Sequence, residues 1–371
     1  MYLRELHITN YRNVADATLH FSPNVNCLVG ANAQGKTNVL DAIYYLSVCR
    51  SSSGATDTQC VRHGDEFFLL EGMFADESGT ENQVAVSVGG GRPKRVVHDG
   101  QRVRRLSQHI GRFPLVLISP TDTQLVAGGG EERRRFMDTV LSQLHADYLE
   151  AAIRYDRTLR QRNALLKQSD AEPDPAVLDV LEEMLAADAD VIFGHRQAFA
   201  AAFAPRCAAL YQRLSGADDE AEAAGIAYVS HLQRGPLREQ LREGRQKERI
   251  VGYTLHGIHK DDLQLTLGSY PVRREASQGQ HKTLALSLKL AQYAYLRDLG
   301  DHRTPMLLLD DIFDKLDTNR LQRIIDYVSS DALGQIFITD TDRTHTDKLL
   351  RATRRDYRLF SVRAGSIEGA E

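Results

Sequence analysis

The stretch Gly30-Ala31-Asn32-Ala33-Gln34-Gly35-Lys36-Thr37 constrains this chain more than any other segment. It has the form G-x-x-x-x-G-K-T. The glycines let the backbone curl until successive N–H groups point at one phosphate, the lysine reaches the β- and γ-phosphates, and the threonine hydroxyl ligates Mg²⁺. The flanks agree: Asn26-Cys27-Leu28-Val29 is a short apolar run suited to a buried strand, and Asn38 to Val48 reads as a helix. A Gly-rich turn without chemistry needs neither flank. The expectation is an α/β nucleotide-binding fold, with Gly30 to Asn38 around the phosphates and Lys36 acting on the transferred group.

Such a loop needs an acidic partner at the end of a neighbouring strand. Met306-Leu307-Leu308-Leu309-Asp310-Asp311 supplies two carboxylates after four apolar residues, as expected of a parallel strand covered on both faces. Asp310 is expected to hold Mg²⁺ with Thr37, and Asp311 to orient or deprotonate the attacking water. Alone, the pair reads as a helix cap after a core strand; the loop upstream favours the chemical reading. A third element, Ser277-Gln278-Gly279-Gln280, stands directly before an apolar helix carrying Leu284, Leu286, Leu288 and Leu290. A Ser and a Gly at a helix N-terminus form an anion site, although by themselves they also describe an ordinary capped helix.

The rest of the chain arranges itself around these elements. Tyr2 to Ile8 and Ala17 to Phe21 alternate as strands. Between Glu66 and Val103, short alternating segments broken at Gly89-Gly90-Gly91 and Asp99-Gly100 read as antiparallel strands. After Gly128-Gly129-Gly130 the chain turns helical. Residues 131–168 lack Pro and Gly, with Phe136, Val140, Leu144 and Tyr148 at helical spacing, and Ser169 to Pro175 breaks the pattern before a second stretch from Ala176 to Leu214. Two arms of this kind predict an antiparallel helical hairpin, each arm at most about 55 Å long. Asp218-Asp219-Glu220-Ala221-Glu222 reads as a solvated loop. Strands are expected at Ile226 to Val229, Tyr253 to Leu267, Met306 to Leu309 and Gln335 to Ile338, with a helix from Gln280 to Asp298. The division that follows is a discontinuous head, 1–130 and 225–371, with a helical hairpin domain, 131–224, inserted between.

Composition excludes several classes. With 371 residues, 42% hydrophobic and 26% charged, the chain is neither fibrous nor disordered throughout. No run approaches the roughly 18 apolar residues of a membrane span, and Glu5 interrupts the segment where a signal peptide would be apolar. Four cysteines without a CxxC pair suggest a reducing compartment. A cytoplasmic protein without a membrane partner is expected. The net charge of −4 leaves nucleic acid open, because local segregation decides. Arg92, Lys94, Arg95, Arg102, Arg104, Arg105 and Arg112 face only Asp99 within their stretch, and Arg133, Arg134, Arg135, Arg154, Arg157, Arg160 and Arg162 lie in the first arm. Such clusters neutralise phosphates without reading sequence; the alternative is ordinary solvated faces, with Arg133 to Arg135 packing the arm.

Together these motifs resemble the ABC-type ATPase heads of the SMC-like family, and within it the RecF family of bacterial recombination mediators. The resemblance spans nearly the whole chain. It includes Leu6-His7-Ile8-Thr9-Asn10-Tyr11-Arg12-Asn13, the phosphate loop, Arg133 to Asp138, Gly257-Ile258-His259-Lys260-Asp261-Asp262-Leu263, the Ser277 signature, and Asp310 to Asp317. It implies a parallel core sheet plus an antiparallel β lobe, and an ATP-dependent homodimer. Each ATP would lie between one protomer's loop and the other's Ser277, Gln278, Gly279 and Gln280. Arg12 and Asn32 would lie near the phosphates, and Asp314 and Asp317 along the dimer contact. The implied activity is a weak DNA-dependent ATPase whose slow hydrolysis reopens a clamp on gapped DNA or single-/double-strand junctions. Implied partners are RecR and RecO, and through them RecA, in repair, replication restart and the SOS response. Ile258 and Lys260 stand where many relatives carry Pro and Arg. Ile338-Thr339-Asp340-Thr341 has no counterpart of the transporter switch histidine, and Gln124 is a candidate near the metal. An ABC transporter subunit or another short-armed SMC-like ATPase is the alternative. The helical hairpin, the Asp310-Asp311 pair and the basic stretch disfavour the transporter.

Overall fold

In the computed structural model the described residues are 1–76, 78–167, 173–216, 222–300, 303–312, 318–328, 333–341, 350 and 355–370. Asp314 and Asp317, the breaker residues Ser169 to Glu172 and the acidic residues Asp218 to Ala221 lie outside them. Packing divides the chain into two units, Met1–Asp122 with Gln292–Glu371, and Thr123–Ala291.

The first unit opens with β1 (Tyr2–Tyr11), β2 (Val14–His20), β3 (Val25–Val29) and α1 (Lys36–Val48). It continues with β4 (Phe67–Ala75), β5 (Glu81–Gly89), β6 (Arg92–His98), β7 (Gln101–Arg102) and β8 (Leu115–Ile118). The second holds α2 (Gln124–Ala127), α3 (Gly130–Leu144), α4 (Ala146–Leu166), α5 (Pro175–Ser215), β9 (Ala224–Val229), α6 (Leu237–Val251), β10 (Asp262–Leu267), β11 (Tyr270–Pro271) and α7 (Val272–Glu275). Helix α8 (Gln278–Leu299) begins in the second unit and ends in the first. The chain closes with β12 (Met306–Asp310), α9 (Thr318–Val328), β13 (Ile336–Asp340), β14 (Tyr357–Arg363) and β15 (Ser366–Ala370).

Two six-stranded sheets build the first unit. One has the order β15-β14-β3-β13-β12-β8 and is parallel except for β15. Every residue of β12 and β13 is buried, which explains the apolar runs Met306 to Leu309 and Ile336 to Ile338. The other sheet, β2-β1-β4-β5-β6-β7, is antiparallel and alternates, so Phe68, Leu70, Phe74, Val84, Val86 and Val88 face one core together with Ile43 and Leu46 of α1. Leu308, Phe337 and Phe360 belong to the same core. Helix α1 is thus fixed by both sheets, with burial worth roughly 1.5–3 kcal/mol per large apolar side chain. The fold is the expected α/β architecture, with a parallel core sheet and an antiparallel lobe.

The second unit differs from expectation in three ways. The first arm is two helices, because His145 is extended (φ −129°, ψ 106°) with its ring 4.5 Å from that of His195; no Pro or Gly announced this break. The paired helices are unequal, 21 residues in α4 against 41 in α5, or about 31 and 61 Å, so α5 is longer than the expected limit of about 55 Å. Helix α5 starts where Asp174 accepts from the Ala176 N–H at 2.8 Å with Pro175 in the first turn. Helix α6 was not expected, and the strand predicted from Tyr253 exists only as β10, a 3₁₀ turn at Ile258–Lys260 taking its first part. Strands β9, β10 and β11 form a small sheet in this unit. In the first unit, β8, β14 and β15 also went unread.

Candidate nucleotide site

The phosphate loop joins β3 to α1, at the carboxyl ends of the parallel strands where open α/β sheets bind ligands. Ala33 (φ 63°) and Gly35 (φ 115°) are left-handed, and this curls the loop. Among the described residues, the N–H groups of 31–37 donate to no protein acceptor, so they remain for an anion. Both loop glycines are sterically required. A Cβ on Gly30 would meet the Val362 carbonyl oxygen at 2.4 Å, and one on Gly35 the Asn13 amide at 2.7 Å. Lys36 is buried, its Nζ donating to the carbonyls of Gly30 (2.9 Å) and Ala31 (3.1 Å).

Thr37 and Asp310 meet as expected, the hydroxyl donating to Asp310 Oδ1 at 2.9 Å. A third residue completes the arrangement. Register places Thr339 beside Asp310. Its buried hydroxyl donates to Asp310 Oδ1 at 2.8 Å and accepts from the Asp311 N–H at 2.9 Å. Asp311 is itself left-handed (φ 45°). Burial pushes the Asp310 carboxyl above its ordinary range, while Thr339 and Thr37 pull it back. The metal fit is good: a hydroxyl and a carboxylate, both hard oxygen donors, stand together beside the open N–H groups, and Mg²⁺ takes such a site with phosphate and water completing its shell. The described residues hold no cluster of three or more His, Cys, Asp or Glu that would bind a metal unaided.

The loop is braced by residues the sequence reading missed. Asn13 Nδ2 donates to the Gln34 carbonyl at 3.0 Å, and Asn13 Oδ1 accepts from Asn38 Nδ2 at 2.7 Å. From the turn after β14, the Ala364 N–H donates to Gln34 Oε1 (2.7 Å) and the Gly365 N–H to the Gln34 carbonyl (2.9 Å). Asn38 and Gln34 therefore set the loop's shape, while Ala31, Asn32 and Ala33 are exposed. Arg12 is left-handed (φ 57°). Its Nη2 donates to Ser53 Oγ (2.8 Å) and Ser51 Oγ (3.0 Å) and lies 3.5 Å from Asp41.

The Ser277 signature and Gln124 lie in the second unit. Ser277 and Gln280 form a capping box, the Ser277 N–H donating to Gln280 Oε1 (2.9 Å) and the Gln280 N–H to Ser277 Oγ (3.2 Å). Gln278 and Gly279 follow as the first turn of α8.

The basic residues separate into two kinds. Arg92, Arg95, Arg102, Arg104, Arg105 and Arg112 are exposed, but Lys94 turns inward, bonding the Cys49 carbonyl at 2.6 Å and pairing with Asp57 at 3.0 Å. In the arm, Arg133 clasps Asp262 with two bonds (2.6 and 2.9 Å), Arg134 donates to the Asp261 carbonyl (2.7 Å), and Arg135 pairs with Glu131 and Glu132. Arg154 pairs with Asp188, Arg160 with Asp156, and Arg162 is buried. The Gly257–Leu263 stretch is likewise structural in its contacts, since buried Arg196 bonds Asp261, the Ile258 carbonyl and Asp138, and Tyr155 meets His259.

A phosphate loop on β3, a second carboxylate strand two positions away and an antiparallel lobe over α1 define the class as the ABC-type P-loop ATPase head. The family model for the RecF/RecN/SMC N-terminal domain matches residues 2–368, and the chain belongs to that family, in its RecF branch. The DNA replication and repair protein RecF of Phocaeicola vulgatus is 46% identical over 367 residues, 99% of this chain and 98% of that one. The protein of the same name from Porphyromonas gingivalis is 47% identical over 368 residues, covering 99% and 100%. A solved structure of the recombination mediator protein RecF-ATP in the RecFOR pathway aligns with a TM-score of 0.88 at 26% identity, covering 100% of this chain and 98% of that one. No helix among the described residues is long and apolar enough to cross a membrane.

Proposed function

We propose that this chain is an ATP-gated, DNA-binding ATPase of recombinational repair and replication restart. In this reading two copies close around two ATP molecules, clamp DNA at single-strand gap junctions, and help load RecA with RecO and RecR. The observation that carries it is the Thr37–Asp310 bond at 2.9 Å beside the unpaired loop amides, in a chain whose RecF relatives match end to end.

Each residue has a derived task. The amides of 31–37 and Lys36 bind and orient the phosphates, while Asn13 and Gln34 hold the loop curled. Thr37 and Asp310 would hold Mg²⁺, which when bound neutralises charge on the β- and γ-phosphate oxygens. Asp311 orients the attacking water, its backbone fixed by Thr339. The Ser277 N-terminus of α8 presents its hydroxyl and amides to the partner protomer's γ-phosphate. The six exposed arginines between 92 and 112 supply sequence-independent phosphate contacts to DNA. Hydrolysis removes the group that bridges the protomers, so turnover acts as a timer.

Sedimentation with MgATP tests this. Wild-type chain should pair and Lys36→Met should stay monomeric; equal ATP-driven pairing in both would overturn the loop's role.

A further inference from the structure

Asp41 is buried on α1 one turn after Thr37, on the same helix face. Four donors from two segments converge on its carboxylate. They are the Tyr11 hydroxyl (2.7 Å), the Ser52 N–H (2.7 Å), the Ser52 hydroxyl (2.7 Å) and the Ser51 hydroxyl (2.8 Å). The Tyr11 ring is held edge-on against Tyr45 and Phe68, so that hydroxyl has little freedom. Ser51 has one proton. Giving it to Asp41 leaves its lone pairs to accept from Arg12 Nη2 at 3.0 Å, and Ser53 Oγ, 2.9 Å from Ser51 Oγ, accepts the same nitrogen. The relay thus runs between a donor-only guanidinium at Arg12 and an acceptor-only carboxylate at Asp41, and the Ser51 proton is committed to the latter.

We infer that Asp41 is a positioning residue that, directly at 3.5 Å and through Ser51 and Ser53, holds the Arg12 guanidinium toward nucleotide bound at the Gly30–Thr37 loop. This rests on the nucleotide reading above and deepens it. Asp41 sits on the helix that carries Lys36 and Thr37, while Arg12 stands on the β1–β2 turn and the serines on the segment after α1. One carboxylate thus ties the loop's helix to the cation outside it. Asparagine at 41 keeps the shape but removes the charge and turns one acceptor into a donor facing two of the four donors. The guanidinium then loses the carboxylate at 3.5 Å, and Ser51 loses the charged acceptor that orients its proton.

The test is a double-mutant cycle on the full chain, reading MgATP and MgADP affinity for wild type, Asp41→Asn, Arg12→Ala and the double variant. Asp41→Asn should weaken MgATP by about tenfold, and add less than about twofold once Arg12 is alanine. MgADP should lose less, because the γ-phosphate is the group an added cation rewards. Ser51→Ala, which strands no buried charge, should weaken MgATP severalfold and be silent beside Arg12→Ala, so the relay stays testable if Asp41→Asn folds poorly. Additive losses, or no loss in either variant, would overturn the inference. Lys36→Met separates the two readings. If it binds MgATP like wild type, the nucleotide site falls with everything built on it. If it abolishes binding while Arg12→Ala binds normally, only the positioning role falls.

Discussion

The Thr37 hydroxyl donates to Asp310 Oδ1 at 2.9 Å across 273 residues of sequence. Strand β13 lies between β3, which leads into the loop, and β12, which ends at Asp310, and its Thr339 reaches the same oxygen at 2.8 Å. Two hydroxyls, one from the helix after the phosphate loop and one from the intervening strand, thus converge on a single carboxylate oxygen.

That third hydroxyl gives the first prediction. Thr339→Val is isosteric but leaves the Asp311 N–H unpaired and strips a donor from Asp310. ATP turnover should fall by about tenfold or more, with stability lower by about 1–3 kcal/mol. ATP affinity, set mainly by the loop, should change far less. Single-turnover hydrolysis beside equilibrium binding checks this; wild-type turnover would remove Thr339 from the site.

Ser277 combines a cap with a proposed phosphate contact, and one substitution separates them. Asp is a good N-cap, so Ser277→Asp should hold stability within about 0.5 kcal/mol of wild type. The new carboxylate would face the partner's γ-phosphate, so MgATP-driven pairing should be lost. Retained pairing in a stable variant would leave Ser277 a cap alone.

Arg162 lies at 0% exposure between Glu182 and Glu248, themselves at 0%, with Nη2 bonded to Glu182 at 2.8 Å and Nη1 2.6 Å from Glu248 Oε2. Arg162→Met leaves the buried Glu248 without its cation, while Glu182 keeps Arg245 at 2.6 and 2.9 Å, and should destabilise the helical unit by about 3 kcal/mol. Adding Glu248→Gln, which removes the unpaired charge and keeps an acceptor for the Leu255 N–H (2.7 Å), should recover part of that. Urea unfolding followed by far-UV dichroism reads both variants.

Two buried histidines predict acid sensitivity. Burial, aided by neighbouring His98, pushes His109 down to about 4, and burial does the same to His259. Both are held neutral in the folded chain, whereas unfolded histidines protonate near the ordinary 6.5. Their contribution is therefore complete above about pH 6.5 and is lost as pH falls toward 4. Between pH 7 and 5 each should cost about 2 kcal/mol. Urea unfolding at the two pH values should show the loss, and His109→Gln should reduce it; identical stability at both would contradict the assignment.

Much of this was legible because its determinants are contiguous. Gly30 to Thr37 announces itself, as does a strand ending in Asp310-Asp311, and Ser277 to Gln280 carries its capping pattern within four residues. Contacts made by register were not legible. Nothing in Ile338-Thr339-Asp340 reveals that Thr339 lies opposite Asp310, and nothing near Gln34 points to Ala364 and Gly365. Arg12 and Asn13 stood in a recognised motif, but their partners at Ser51, Ser53 and Asn38 come from the fold. Lys94 belonged to a basic stretch by sequence, and only the pleat of β6 turned it inward. Helix α6 was different: Gly235-Pro236 and the left-handed Gly252 bracket it with start and stop signals that went unused.

The central claim is that ATP at the Gly30–Thr37 loop gates DNA binding. Fluorescence anisotropy on a gapped duplex, with and without MgATP, beside Lys36→Met and a variant with Arg92, Arg95 and Arg102 changed to Glu, tests it most directly. The account predicts tight, salt-sensitive binding only with MgATP, absent in Lys36→Met and weakened in the charge-reversed variant. Binding of equal strength with and without MgATP, or no binding by a chain that still hydrolyses ATP, would contradict it.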